Sequence, residues 1–141
     1  MKDHLNPIKK VLDKRATVAF GYLFGSRAKG YANRRSDWDI GVYFSEPEEK
    51  IGTWPAFELE AELSRAVGGT VQVVVLNRPV SPLLGFEILK EGLLLIDRDR
   101  NLRMDFENRI LRHYHDWQHF LKRQMKAEKD SASIVSKNQG G

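Results

Sequence analysis

The stretch that most restricts what this chain can fold into is Gly25 to Val42, GSRAKGYANRRSDWDIGV. An apolar run, Val18 to Phe24, halts at a Gly-Ser pair, and ten residues later Asp37 and Asp39 open a second apolar run. If the second run is a strand, alternation sends Asp37 and Asp39 to one face and Trp38 and Ile40 to the other. Two carboxylates in one small volume repel unless a cation lies between them, and Mg²⁺ prefers oxygen ligands of this kind. A Gly-Ser turn entering a short helix offers the complementary half, because unpaired backbone N–H groups at a helix start attract phosphate. Paired acids beside a phosphate-holding turn suggest a nucleoside triphosphate bound through Mg²⁺. The competing reading is that the acids only mark a turn entering a strand, a common place for Asp.

The fuller string, Gly25-Ser26-x-Ala28-Lys29-Gly30, five residues, then Ser36-Asp37-x-Asp39-Ile40, resembles the minimal nucleotidyltransferase (MNT) branch of the DNA polymerase β-like nucleotidyltransferase superfamily. Several fixed positions must coincide, which makes the match more specific than a lone glycine motif. The resemblance implies an α/β domain with the polymerase β-like nucleotidyltransferase fold: a small mixed sheet carrying the catalytic residues on one side, helices packed on the other, and a long C-terminal helix. It implies transfer of AMP from ATP to a hydroxyl, with pyrophosphate released. Asp37 and Asp39 would be catalytic and hold Mg²⁺, while Gly25, Ser26, Arg27 and Lys29 would bind the nucleotide. Small proteins of this branch are similar to the antitoxin half of HEPN/MNT toxin–antitoxin pairs, in which a tyrosine of the HEPN toxin is modified. The implied partners are therefore a HEPN-type toxin and ATP, with assembly as a homo-oligomer or a hetero-oligomer left open.

One position departs from the family pattern. Enzymes of this kind carry a third carboxylate on the strand after the intervening helix, and here Val71-Gln72-Val73-Val74-Val75-Leu76-Asn77 has Gln72 at that place. A glutamine offers a metal one neutral oxygen but brings no charge and cannot take a proton from a nucleophile. Loss of the second metal's ligand should cost rate more than nucleotide affinity. Glu87, Asp97 and Asp99 are the substitutes considered, although sequence alone does not bring them near Asp39. The alternative function is thus a catalytically weak or inactive nucleotidyltransferase-like antitoxin that neutralises its partner by binding.

At 141 residues the chain suits one domain, assigned to residues 1–128, with 129–141 expected to fray or be disordered. It has no cysteine, which excludes a disulfide framework and thiolate metal sites, and no segment long and apolar enough for a membrane span. A soluble cytoplasmic protein is the expectation. Residues 1–35 carry nine Lys/Arg against two acids, and Arg27, Lys29, Arg34 and Arg35 all fall between the two halves of the motif. They suit either triphosphate neutralisation or a solvated loop. Binding of nucleic acid through the basic blocks is a further possibility, but no aromatic RNA motif or recognition-helix pattern accompanies them, so nucleic acid is not an expected partner.

In chain order, Asn6-Pro7 reads as an N-cap and first helical residue, opening a helix that ends near Arg15. Strands are expected at Thr17–Phe24 and Asp37–Phe44, with a short helix Ser26–Lys29 stopped by Gly30 and an exposed loop over 31–36. An acidic turn, Ser45–Gly52, precedes a helix over Pro55–Val67. The most strand-like segment is Thr70–Leu76; a helix from Pro82 to about Lys90 and a short edge strand, Leu93–Ile96, follow. Leu102, Phe106, Ile110, Tyr114, Trp117 and Leu121 then form one apolar helical stripe, which Phe120 and Met125 widen, a hint of a protein partner. His115 and His119 have helical metal-pair spacing, but a solvated or partner-facing position is preferred for them and for His113.

Overall fold

The computed structural model describes residues 2–30, 36–46 and 54–139. Arg34, Arg35, most of the expected 31–36 loop and residues 47–52 of the acidic turn lie outside the described residues. The element order is α1 (Lys2–Lys14), β1 (Val18–Phe24), α2 (Ser26–Lys29), β2 (Trp38–Phe44), α3 (Trp54–Val67), β3 (Val71–Val75), α4 (Pro82–Glu91), β4 (Leu93–Asp97) and α5 (Arg100–Gln139). The strands form one sheet in the order β3-β2-β1-β4. The pairs β1/β2 and β1/β4 are antiparallel and β2/β3 is parallel, so the sheet is mixed, as expected.

All seven residues of β1 are buried, which explains why its sequence shows no polar alternation: it is an inner strand covered on both faces. On one face Ile40, Val42 and Phe44 from β2 pack with Ile8 and Leu12 of α1 and Leu59 and Leu63 of α3. This is the helical layer that the sequence leads one to expect. The opposite face is covered as well. Phe20, Tyr22 and Phe24 of β1 form a second core with Ile88 of α4 and Phe106 and Ile110 of α5. The early part of the apolar stripe on α5 is therefore a packing surface.

Edge strand β3 is shielded by side chains of α3. Glu60 Oε2 accepts from Val73 N at 3.0 Å and Ser64 Oγ from Val71 N at 3.3 Å, so these outward-facing N–H groups are satisfied without another strand. Two helix boundaries differ from the sequence expectation. The first helix begins at Lys2, which puts Pro7 inside it, beyond the first turn where a proline is best tolerated. The last helix continues past Lys126 to Gln139, since the Lys, Ala, Glu and Gln there favour helix once a long helix is nucleated. Among the described residues no helix is long and apolar enough to cross a membrane.

Candidate active site

The two halves of the Gly25–Val42 stretch meet at one end of the β1/β2 pair. Phe24, the last residue of β1, is the register partner of Asp39 in β2, so the chain leaves β1 at Gly25 directly beside the Asp39 side chain. Gly25 has a φ of 77°, and a Cβ built on it would lie 2.3 Å from Asp39 Oδ2. Both observations demand glycine: the backbone conformation disfavours an L side chain, and the carboxylate occupies the space one would need. The Gly25 carbonyl accepts from Ala28 N and Lys29 N, closing α2, and Gly30 ends that turn in the left-handed conformation. Ser26 stands half-buried as the first residue of α2.

Asp37 lies just before β2 and is exposed, while Asp39 is half-buried. Burial first, then the negative charges of Asp37 and Glu87, raise the Asp39 carboxyl above its ordinary range. The site is thus a place where negative charge is held at a cost that a cation would relieve. Among the described residues no set of three or more His, Cys, Asp or Glu is gathered for a metal. Two carboxylates fit a nucleotide-borne Mg²⁺, whose remaining ligands would be phosphate and water oxygens.

Gln72 is the register partner of Asp39 across the parallel β2/β3 pair, so it occupies the neighbouring-strand position read from the sequence, and it is exposed. Of the three acids considered as substitutes, only Glu87 acts on Asp39. Asp97 is bound to Arg103 at 2.7 Å, and Asp99 accepts from Leu102 N at the start of α5. Asp97 pairs with Phe20, four residues along β1 from Phe24, which is about 13 Å from the Asp39 end at strand rise. Sequence could name Glu87 but not place it, because its approach depends on how α4 packs.

Both basic residues of α2 have partners within the chain. Arg27 donates from Nε and Nη2 to the Ser36 carbonyl at 3.2 and 2.8 Å, and its guanidinium lies 4.1 Å from the centre of the Trp38 ring. It ties α2 to the backbone immediately before Asp37. Lys29 Nζ is 2.9 Å from Glu87 Oε1 and 3.7 Å from Glu91 Oε2, and the bond to Glu87 chiefly raises its pKa. Lys29 is therefore positioned beside the acid that bears on Asp39. His115 and His119, with Nε2 atoms 3.2 Å apart, lie exposed on α5.

The family model for "Polymerase beta, Nucleotidyltransferase" matches residues 6–101, well over half of the chain. The chain belongs to this nucleotidyltransferase family. Within it, the chain is 33% identical over 85 residues to the protein adenylyltransferase MntA of Shewanella oneidensis, an alignment covering 60% of this chain and 58% of that protein. It therefore matches somewhat over half the length of that curated relative. A crystal structure of a toxin–antitoxin with AMP-PNP superposes with a TM-score of 0.65 at 27% identity, covering 89% of this chain and 96% of that one. The MNT antitoxin fold is also seen in a complex with a tri-AMPylated HEPN toxin from Shewanella oneidensis, with a TM-score of 0.61 at 24% identity and coverage of 92% and 96%. These superpositions show that the chain shares its fold with those structures.

Proposed function

We propose that the chain is the antitoxin of a HEPN/MNT pair and moves AMP from ATP onto a tyrosine hydroxyl of its HEPN toxin partner. The observation that carries this reading is the seating of Asp39 against the Gly25 backbone, which joins paired acids to the Gly-Ser turn in one corner. The similarity to a protein adenylyltransferase and to a toxin–antitoxin bound to an ATP analogue supports the nucleotide and the class of acceptor. Such a reaction draws on cytoplasmic ATP, which fits a cysteine-free chain.

In this reading the Gly25–Ser26 turn holds the β and γ phosphates by backbone N–H and hydroxyl, and Asp37 with Asp39 holds Mg²⁺, which supplies charge neutralisation. The acceptor oxygen forms a bond to the α-phosphorus as the bond to the bridging oxygen breaks. Pyrophosphate leaves, and the hydroxyl proton passes to solvent or a nearby base. Arg27 fixes the loop that carries Asp37. Lys29, tethered to Glu87, is placed to move toward the phosphates, exchanging one anionic partner for another.

Gln72 favours a second reading, that the chain neutralises its partner by binding and turns over slowly. Mass spectrometry of the HEPN partner after incubation with ATP and Mg²⁺ separates the two. Transfer predicts added AMP that disappears with Asp37→Asn, and Gln72→Asp raises the rate several-fold. Neutralisation without added AMP, and undiminished in the Asp37→Asn/Asp39→Asn protein, would establish the second reading.

A further inference from the structure

Of the two cations on α2, one is committed and the other can change partners. Arg27 is bound to the Ser36 carbonyl and lies over the Trp38 ring, so moving it would unseat the backbone before Asp37. Lys29 Nζ is held by two carboxylates of α4, Glu87 at 2.9 Å and Glu91 at 3.7 Å. The three side chains are 28%, 33% and 44% exposed, and an ion pair open to water is worth little and exchanges readily. The backbone of Lys29 stays at the site meanwhile, because its N–H donates to the Gly25 carbonyl at 3.2 Å.

The side of the site on which this pair stands decides its role. Strand β3 flanks β2 on one side and β1 on the other, so Gln72 borders Asp39 from the β3 side. Helix α4 packs on β1, with Ile88 buried among Phe20, Tyr22 and Phe24. Glu87 therefore approaches from the side of the Gly25–Ser26 turn, where the proposed reaction puts the β and γ phosphates, and not from the side of Gln72. An acid there is badly placed to stand in for the third carboxylate. It is well placed to hold the lysine that the phosphates would otherwise take.

We propose that Glu87 is a positioning residue that competes with the polyphosphate of ATP for Lys29, and so sets how tightly the site holds ATP and the pyrophosphate it releases. The inference rests on the reading above that the site transfers AMP. In the empty site Lys29 is neutralised by α4. As ATP binds, its outer phosphates, which carry more charge than a carboxylate, draw Lys29 away from Glu87. Once pyrophosphate has formed, Glu87 takes Lys29 back, which loosens the product. Glu91, farther off and more exposed, has the lesser share.

The test measures binding to the full chain, by calorimetry with Mg²⁺, of three probes: α,β-methylene ATP, which cannot lose pyrophosphate, then pyrophosphate itself and AMP. Glu87→Gln keeps the size of the side chain and removes its charge. It should tighten α,β-methylene ATP and pyrophosphate about threefold or more and leave AMP, which lacks the outer phosphates, unchanged. Glu91→Gln should act in the same direction more weakly, and melting should show both variants folded. In a Lys29→Met background Glu87→Gln should gain nothing, because the contested cation is gone. A Glu87→Gln protein that binds the ATP analogue no better than the wild type overturns the competition, and weaker binding would mean that Glu87 presents Lys29 to the phosphates. An equal gain in the Lys29→Met background assigns the effect to plain repulsion and overturns it as well. Either result, with AMP still transferred by the wild type, leaves the proposed reaction standing. A wild-type chain that binds neither the ATP analogue nor pyrophosphate overturns the functional reading and this inference together.

Discussion

Strand β2 serves two environments with alternate residues. Toward α1 and α3 it presents Ile40, Val42 and Phe44, all buried among aliphatic side chains. Toward α4 and α5 it presents Asp39, then Gly41 against Leu76, then Tyr43 stacked on Phe20. The first face contributes burial and little else. The second carries Asp39, the close glycine approach and most of the aromatic contacts. Because side chains alternate with a period of two, one strand can hold a rigid support and a charged site a residue apart. Substitutions on the two faces should therefore separate stability from chemistry.

The largest effect is expected at Ile40. Its side chain is fully buried, so Ile40→Ala removes packed methylene groups and leaves a void worth about 2–5 kcal/mol. That is a large share of the roughly 5–15 kcal/mol available to a domain. Urea unfolding should show the loss, while the fraction still folded should transfer AMP at the wild-type rate. A folded protein with collapsed activity would show that the two faces are not separable.

Asp39 should respond in the opposite sense. Asp39→Asn removes the carboxylate against Gly25 and should reduce AMP transfer by at least about 100-fold, equivalent to about 2.7 kcal/mol of barrier. Stability should not fall. The Asp39 carboxyl is raised above its ordinary range, so the folded state takes up a proton at higher pH than the unfolded chain. Wild-type stability therefore gains as pH falls through that interval, and the ionised form is the less favourable one in the fold. In chelator at neutral pH, Asp39→Asn should melt at or above the wild type, with the gap closing as pH is lowered. A clear loss of melting temperature would mean that the carboxylate stabilises the corner.

The unequal legibility of the two faces follows from the same geometry. Local patterns located the strands and the stretch around Gly25, because a halted apolar run, a glycine turn and alternating acids are all short-range features. The placement of Gln72 beside Asp39 was implied by the family resemblance and not by either strand's local string, which carries no register of its own. The approach of Glu87 to Asp39 was not legible, since it depends on α4 packing under β1. Nor was the group of Tyr22, Glu107, Arg103 and Asp97, whose members are separated by up to 85 residues and meet only when α5 crosses the sheet. The apolar stripe of α5 was visible as a whole. What the sequence could not divide was its packed portion, through Tyr114, from its free portion beyond Trp117.

That polar group allows the smallest and most specific test of the two-face comparison. Tyr22 is buried on the same face as Asp39, and its hydroxyl donates to Glu107 Oε1 at 2.6 Å. Glu107 also accepts from Arg103 at 2.9 Å, and Arg103 reaches Asp97 at 2.7 Å. In Tyr22→Phe the carboxylate keeps its arginine, so the cost should be only about 1 kcal/mol, the net worth of one hydrogen bond. AMP transfer should be unchanged, because the group anchors the base of α5 and does not touch Asp39. The pH dependence identifies the cause. Burial, followed by the bond to Glu107, raises the Tyr22 phenol far above its ordinary value. The unfolded chain therefore loses this proton first as pH rises through about 10, and the wild type loses stability that the Phe variant does not. The difference between the two proteins should be constant from neutral pH to about 9 and shrink above 10. A difference that stays constant into the alkaline range would assign the loss to altered packing beneath α5, and a fall in AMP transfer would show that the second face acts as a single unit.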